Sequence, residues 1–206
     1  MTGLPQLNEV ERDALREVAN IGAGHAATAL SQMTDRTIMI NVPEVNVRRL
    51  EEVAELLGPP DTVVAAVLMH MMGDLTGRTA VILPLSAAQT LCDLLLRKAR
   101  GTTVDFGEME ESSLKETGNI LTSAYLTALS DFMGMMLVPS VPSLVTDYAG
   151  AVITAAHLSF ARERDVVFCV DTAFRVEGAA EPLRGEFLLL PDSASLTAIF
   201  DAIRLA

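Results

Sequence analysis

The hydrophobic positions of this chain switch between a helical and a strand period. From residue 8 to about residue 33 they recur at helical spacing. At roughly 100° per residue, Leu15, Val18, Ala26, Ala29 and Met33 share one face, and Asp13, Glu17 and Asn20 share the opposite one. Asn8, with Glu11 three residues later, predicts a capping box at the start of this helix. Residues 37–47 read as a strand containing Pro43, which implies an edge or a bulge. A short helix over 51–57 ends at Gly58-Pro59-Pro60. Residues 62–72 and 77–83 read as a hairpin around Gly73-Asp74-Leu75-Thr76, followed by a helix over 86–98 capped by Ser86.

The same order then returns. A helix over 106–133 sets Ser112, Glu116 and Asn119 on one stripe and Leu114, Leu121, Tyr125, Ala128 and Phe132 on the other. A strand around 136–145 contains Pro139 and Pro142. Residues 147–156 fit helix and strand equally well. Residues 165–176 and 185–190 read as strands, and 193–203 as a helix capped by a serine after Pro191. The offset between the copies is constant: 116 − 17 = 99 and 119 − 20 = 99. It also carries Asp13 onto Ser112, Pro43 onto Pro142 and Thr28-Ala29-Leu30-Ser31 onto Thr127-Ala128-Leu129-Ser130. A repeat of this kind sets the architecture. It predicts an α+β fold in helix and sheet layers: one domain over 1–206, made of homologous halves at about 8–100 and 105–206. A pseudo-two-fold would relate the halves, with a mixed, largely antiparallel sheet and two long amphipathic helices carrying the candidate sites.

Composition narrows the function. Half the residues are hydrophobic but only 4% are aromatic, so aliphatic and methionine side chains must fill the core. A net charge of −12 argues against nucleic acid, which needs a basic face. The longest apolar runs are too short to span a bilayer, and the first residues do not read as a signal peptide; the expectation is a soluble cytoplasmic protein without membrane insertion. Cys92 and Cys169 lie in apolar surroundings and read as small buried hydrophobes. His25, His70 and His157 show no metal-ligand spacing, so no metal is expected. Gly22-Ala23-Gly24 resembles a dinucleotide fingerprint but falls inside a helix, where close helix packing explains small residues better. No G-x-S-x-G elbow is present.

What remains is a carboxylate and a carboxamide one helical turn apart, twice, each followed at a fixed distance by proline: Asp13-x3-Glu17-x2-Asn20-x22-Pro43 and Ser112-x3-Glu116-x2-Asn119-x22-Pro142. This pattern resembles the CheC family of chemotaxis phosphatases, relatives of CheX and FliY, and the resemblance covers nearly the whole chain. Two intact copies without an added C-terminal switch module resemble the two-site members of that family. The resemblance implies hydrolysis of the aspartyl phosphate of phosphorylated CheY. Asn20 and Asn119 would orient the attacking water, and Glu17 and Glu116 would dock the regulator through its active-site lysine. Asp13, Ser112, Pro43 and Pro142 would shape or flank the sites. No cofactor of the chain's own is implied, since the regulator supplies Mg²⁺. It also implies a contact with the receptor deamidase CheD near Asp147, which on residues alone reads equally as a helix cap. The alternative classes are a non-catalytic adaptor for phosphorylated CheY or CheD and a flagellar switch component.

Overall fold

The computed structural model describes residues 7–59, 61–158, 166–177 and 181–205. Pro60 and Asp165, and the side chain of His157, lie outside the described residues. The first half runs α1 (Glu9–Thr34), β1 (Ile38–Asn41), β2 (Val45–Arg49), α2 (Leu50–Leu56), β3 (Val63–Gly73), β4 (Gly77–Pro84) and α3 (Leu85–Leu95). The second repeats it as α4 (Glu108–Met133), β5 (Leu137–Pro139), β6 (Ser143–Tyr148), α5 (Ala149–Leu158), β7 (Val166–Val176), β8 (Leu183–Pro191) and α6 (Ser193–Leu205).

One eight-stranded sheet takes strands from both halves in the order β1-β7-β8-β4-β3-β5, with β2 also on β7 and β6 also on β3. Exchanging each strand for its repeat partner reads this order backwards. A pseudo-two-fold axis therefore passes between β4 and β8, normal to the sheet. Each half gives its two edge strands to the other half's long strand. Every pairing among the described residues is antiparallel, so the sheet is antiparallel rather than mixed.

Helices cover both faces. α1, α3, α4 and α6 pack on one side, over Val67, Leu83, Phe168 and Leu189. α2 and α5 pack on the other, over Val64, Ala66, Cys169 and Leu188. A strand buried on both faces needs apolar residues at successive positions, which explains the run from Val63 to Val67.

The prolines split each expected strand in two. Asn41 pairs with Ala173 but Val45 with Val170, so three residues of one strand oppose two of the other. The second copy repeats this bulge: Pro139 pairs with Met71 and Ser143 with Leu68. Pro43 and Pro142 sit inside the two bulges, where the missing N–H costs no ladder bond. α3 starts at Leu85 with Pro84 at the cap position, so Ser86 lies in the first turn and caps nothing. It stops at Leu95, short of residue 98, because the Asp93 carboxylate accepts the N–H groups of Gly101, Thr102 and Thr103 and turns the chain there. Burial raises the Asp93 pKa, but these bonds outweigh it and hold the carboxyl below its usual range. In the second half Asp192, rather than Ser193, accepts the Ser195 N–H at the start of α6.

The two cysteines are buried, and burial pushes their thiols up to about 11 at Cys92 and about 12 at Cys169. Neither is a thiolate at neutral pH. Among the described residues no helix is long and apolar enough to cross a membrane.

On the α2/α5 face, Glu186 of β8 sits directly opposite Asp171 of β7. Burial, then the Asp171 charge, push its carboxyl from 4.5 up to about 7. The folded protein thus holds a proton that the unfolded chain releases. This stabilisation is full below pH 4.5 and is lost as pH rises through about 7. Because the group is partly solvated, we expect a loss on the order of 1–2 kcal/mol between pH 5 and pH 8. Chemical denaturation across that range should show it, and Glu186→Gln should flatten it; an unchanged slope in the variant would assign the loss to other groups.

Candidate functional site

Each site is carried by the first half of a 26-residue helix, and both helices are anchored in the same way. In α1 the Glu11 carboxylate closes the predicted capping box, accepting the Asn8 N–H at 2.7 Å while Asn8 accepts the Glu11 N–H at 2.9 Å. Its other oxygen faces Arg204 of α6 at 3.5 Å. The offset of 99 carries Glu11 onto Glu110, whose carboxylate accepts the Gly107 N–H at 3.0 Å and ion-pairs with Lys98 after α3. The Lys98 bond holds the Glu110 carboxyl below its ordinary value. One glutamate per half thus fixes a site helix to the terminal helix of the other half. Gly107 stands where Asn8 does in the first copy and has no side chain, so the second cap is hidden in the sequence. The far ends also match: Asp35 and Gly134, 99 residues apart, both close their helices in the left-handed conformation.

Glu17 and Asn20 are exposed on α1, one turn apart. Glu116 is exposed on α4, and Asn119 is half-buried one turn later. Among the described residues, none of these four side chains makes a hydrogen bond or ion pair. Four polar groups held on rigid helices without internal partners are free to engage a second molecule. Asp13 is exposed and pairs with Arg16 at 3.0 Å, an i,i+3 surface contact of small energetic weight. Lys115, the repeat partner of Arg16, pairs with Glu111 at 3.2 Å. A cation thus precedes each site glutamate, a regularity that the offset carries and the Glu-Asn-Pro pattern overlooks. In the second copy Ser112, Glu116 and Pro142 line one open depression with Glu108, Glu111 and Lys115. The proline distant in sequence therefore stands beside its helix. Pro43 is exposed in the bulge after β1.

The buried stripes follow the wheel up to their C-terminal ends. Leu15, Val18, Ala26, Leu114, Leu121, Tyr125 and Ala128 are buried as predicted. Ala29 and Phe132 are only half-buried and Met33 is exposed, because at the end of α1 the buried face passes to Leu30 and Thr34. Gly22 packs against α4: a Cβ there would meet Tyr125 Cδ1 at 2.6 Å and Tyr125 Cα at 3.0 Å. Gly24 is exposed, with nothing within 4 Å, so only the first glycine of the pair serves helix contact. His25 is exposed on α1 and His70 on β3.

A known protein family matches the same duplication. The CheC-like family pattern matches this chain twice, over residues 10–47 and 109–146. The separation is again 109 − 10 = 99. The CheY-P phosphatase CheC of Bacillus subtilis is 36% identical over 199 residues, covering 96% of this chain and 95% of that protein. The chain belongs to the CheC-like family. The flagellar motor switch phosphatase FliY of Bacillus subtilis is 29% identical over 125 residues, spanning 60% of this chain and 32% of that protein. In fold, this CheC-like chain resembles the crystal structure of Thermotoga maritima FliY, with a TM-score of 0.77, 21% identity, and coverage of 96% of this chain and 98% of that one.

Asp147 lies elsewhere, exposed near the end of β6 and paired with Val64 of β3. Its carboxylate accepts the N–H of Tyr148 at 2.7 Å. α5 begins at Ala149, so Asp147 is a strand residue and not the cap that its sequence also suggested. Val145 and Tyr148 are exposed with it.

Proposed function

We propose that this chain is a phosphatase that hydrolyses the aspartyl phosphate of the chemotaxis response regulator CheY. The observation that carries this reading is the duplicated pair of unengaged glutamate and asparagine side chains, in a chain 36% identical over nearly its full length to a CheY-P phosphatase.

An acyl phosphate is already reactive, and what it lacks is a water aligned behind phosphorus. The carboxamides of Asn20 and Asn119 supply that alignment: the carbonyl accepts a hydrogen bond from the water while the NH₂ donates one to a neighbouring oxygen. The water attacks phosphorus, the bond to the aspartyl oxygen breaks, and inorganic phosphate and a free carboxylate result. The Mg²⁺ that neutralises the phosphoryl oxygens belongs to the regulator. Glu17 and Glu116 hold the regulator in register through its active-site lysine, an ion pair that sets docking rather than chemistry. Asp13, Ser112 and the two prolines shape the rims. Such a substrate places the protein in the cytoplasm. The test is phosphate release from an excess of phosphorylated CheY by substoichiometric protein. Several phosphates released per chain support catalysis, and binding without acceleration favours the adaptor reading.

The surface around Asp147 supports a second partner, CheD. One carboxylate between exposed Val145 and Tyr148 offers an anchor and an apolar contact. We expect Asp147→Lys to weaken CheD binding about tenfold or more while leaving melting temperature and phosphatase activity near wild type. A titration with cognate CheD, run beside a thermal melt, reads both. Wild-type affinity in a folded variant would remove Asp147 from that contact.

A further inference from the structure

We infer that the two sites of one chain are mutually exclusive, so that a chain holds one phosphorylated regulator at a time; this rests on the phosphatase reading. Both site helices lie on the same face of the sheet, where α1 has α4 on one side and α6 on the other, and α4 has α3 on its far side. Neighbours on both flanks leave the exposed stripes of α1 and α4 facing away from the sheet, in the same direction. The pseudo-two-fold is normal to the sheet, so the two helices run in opposite senses across it. Its position follows from the packing of Gly22 against Ala124 and Tyr125. Under the offset of 99, a contact between residues 22 and 125 puts the self-opposed pair near residues 24 and 123.

Asn20 is thus about four residues from the axis and Glu17 about seven, or roughly 6 and 10 Å along the helix. With helices about 9 Å apart, the centres of the two sites lie roughly 18 Å from one another. A specific interface covers about 800 Å² on each partner, a patch roughly 32 Å across. A folded partner of about 100 residues is itself roughly 33 Å wide. Two such footprints, centred about 18 Å apart and facing the same way, overlap on the ground between them. That ground includes Ile21, exposed beside Asn20, and Gly24, exposed near the axis.

Two measurements test this. The first is the stoichiometry of beryllofluoride-activated CheY on the wild-type chain, by calorimetry or native mass spectrometry. One regulator per chain is expected at saturation, and two per chain would overturn mutual exclusion while leaving the phosphatase reading intact. No binding at all would overturn both. The second uses Gly24→Gln, which adds a side chain where nothing lies within 4 Å. Placed in the Asn20→Ala protein, where only the site on α4 works, it should still raise KM at least threefold. An unchanged KM there, in a variant that melts no lower than the Asn20→Ala protein, would show that the α4 site does not reach across the axis.

Discussion

Asn20→Ala combined with Asn119→Ala reduces phosphate release about 100-fold or more, to the rate at which phosphorylated CheY decays alone. The magnitude follows from the role. Loss of alignment between nucleophile and phosphorus costs on the order of 10²-fold, because the entropy of placing the water is no longer met in advance. Either single variant retains part of the activity, since the other copy is intact. The fold should persist: Asn20 is exposed, Asn119 is half-buried, and neither side chain has an internal hydrogen bond among the described residues. Steady-state phosphate release with circular dichroism of the same samples checks both halves of this expectation. Wild-type turnover in the folded double variant would remove the carboxamides from the chemistry.

Gly22→Val has the largest expected effect on stability. Its Cβ would fall 2.6 Å from Tyr125 Cδ1, 3.0 Å from Tyr125 Cα and 3.2 Å from the Ala124 carbonyl oxygen. The ring cannot simply swing away. Tyr125 is buried, stacks against Phe187 with ring centroids 4.5 Å apart, and its hydroxyl lies 3.4 Å from that of Thr172. α1 and α4 must therefore separate, at a cost of about 3 kcal/mol for overpacking a close helix contact. In a chain of this size that lowers the melting temperature by about 6–12 °C. Gly24→Ala is the control: with open space around it, the better helix propensity should stabilise by about 0.5–1 kcal/mol. Thermal melts of the two variants should move in opposite directions. A Gly22→Val melt like the wild type's would mean that the helices adjust without loss.

The long helices and the repeat were legible because helical periodicity over 26 residues is a strong signal and a constant offset of 99 recurs in residue types that periodicity does not dictate. The Glu, Asn and Pro positions followed from that offset. The exchange of edge strands was not legible: local pattern says that a segment is a strand but not which strand it pairs with. Pro43 signalled an edge or a bulge, yet the two short strands on either side of it, like those on either side of Pro142, read as one because their apolar residues continue through the break. The Ser86 cap failed because β4 runs directly into α3, so the helix begins two residues earlier than a cap at Ser86 requires. The second anchor, Glu110 to Lys98, is invisible locally because the two residues meet only through the packing of α3 on α4.

The central claim is that the carboxamides act in the chemical step. Its most direct test is a single-turnover experiment on phosphorylated CheY, with Mg²⁺ held constant and protein in saturating excess. Wild type and the Asn20→Ala, Asn119→Ala double variant are run side by side, and binding of the regulator is verified for both. The account predicts rapid loss of the aspartyl phosphate with wild type and decay at the regulator's own rate with the double variant, although both are fully bound. Equal rates for the two bound proteins would contradict it.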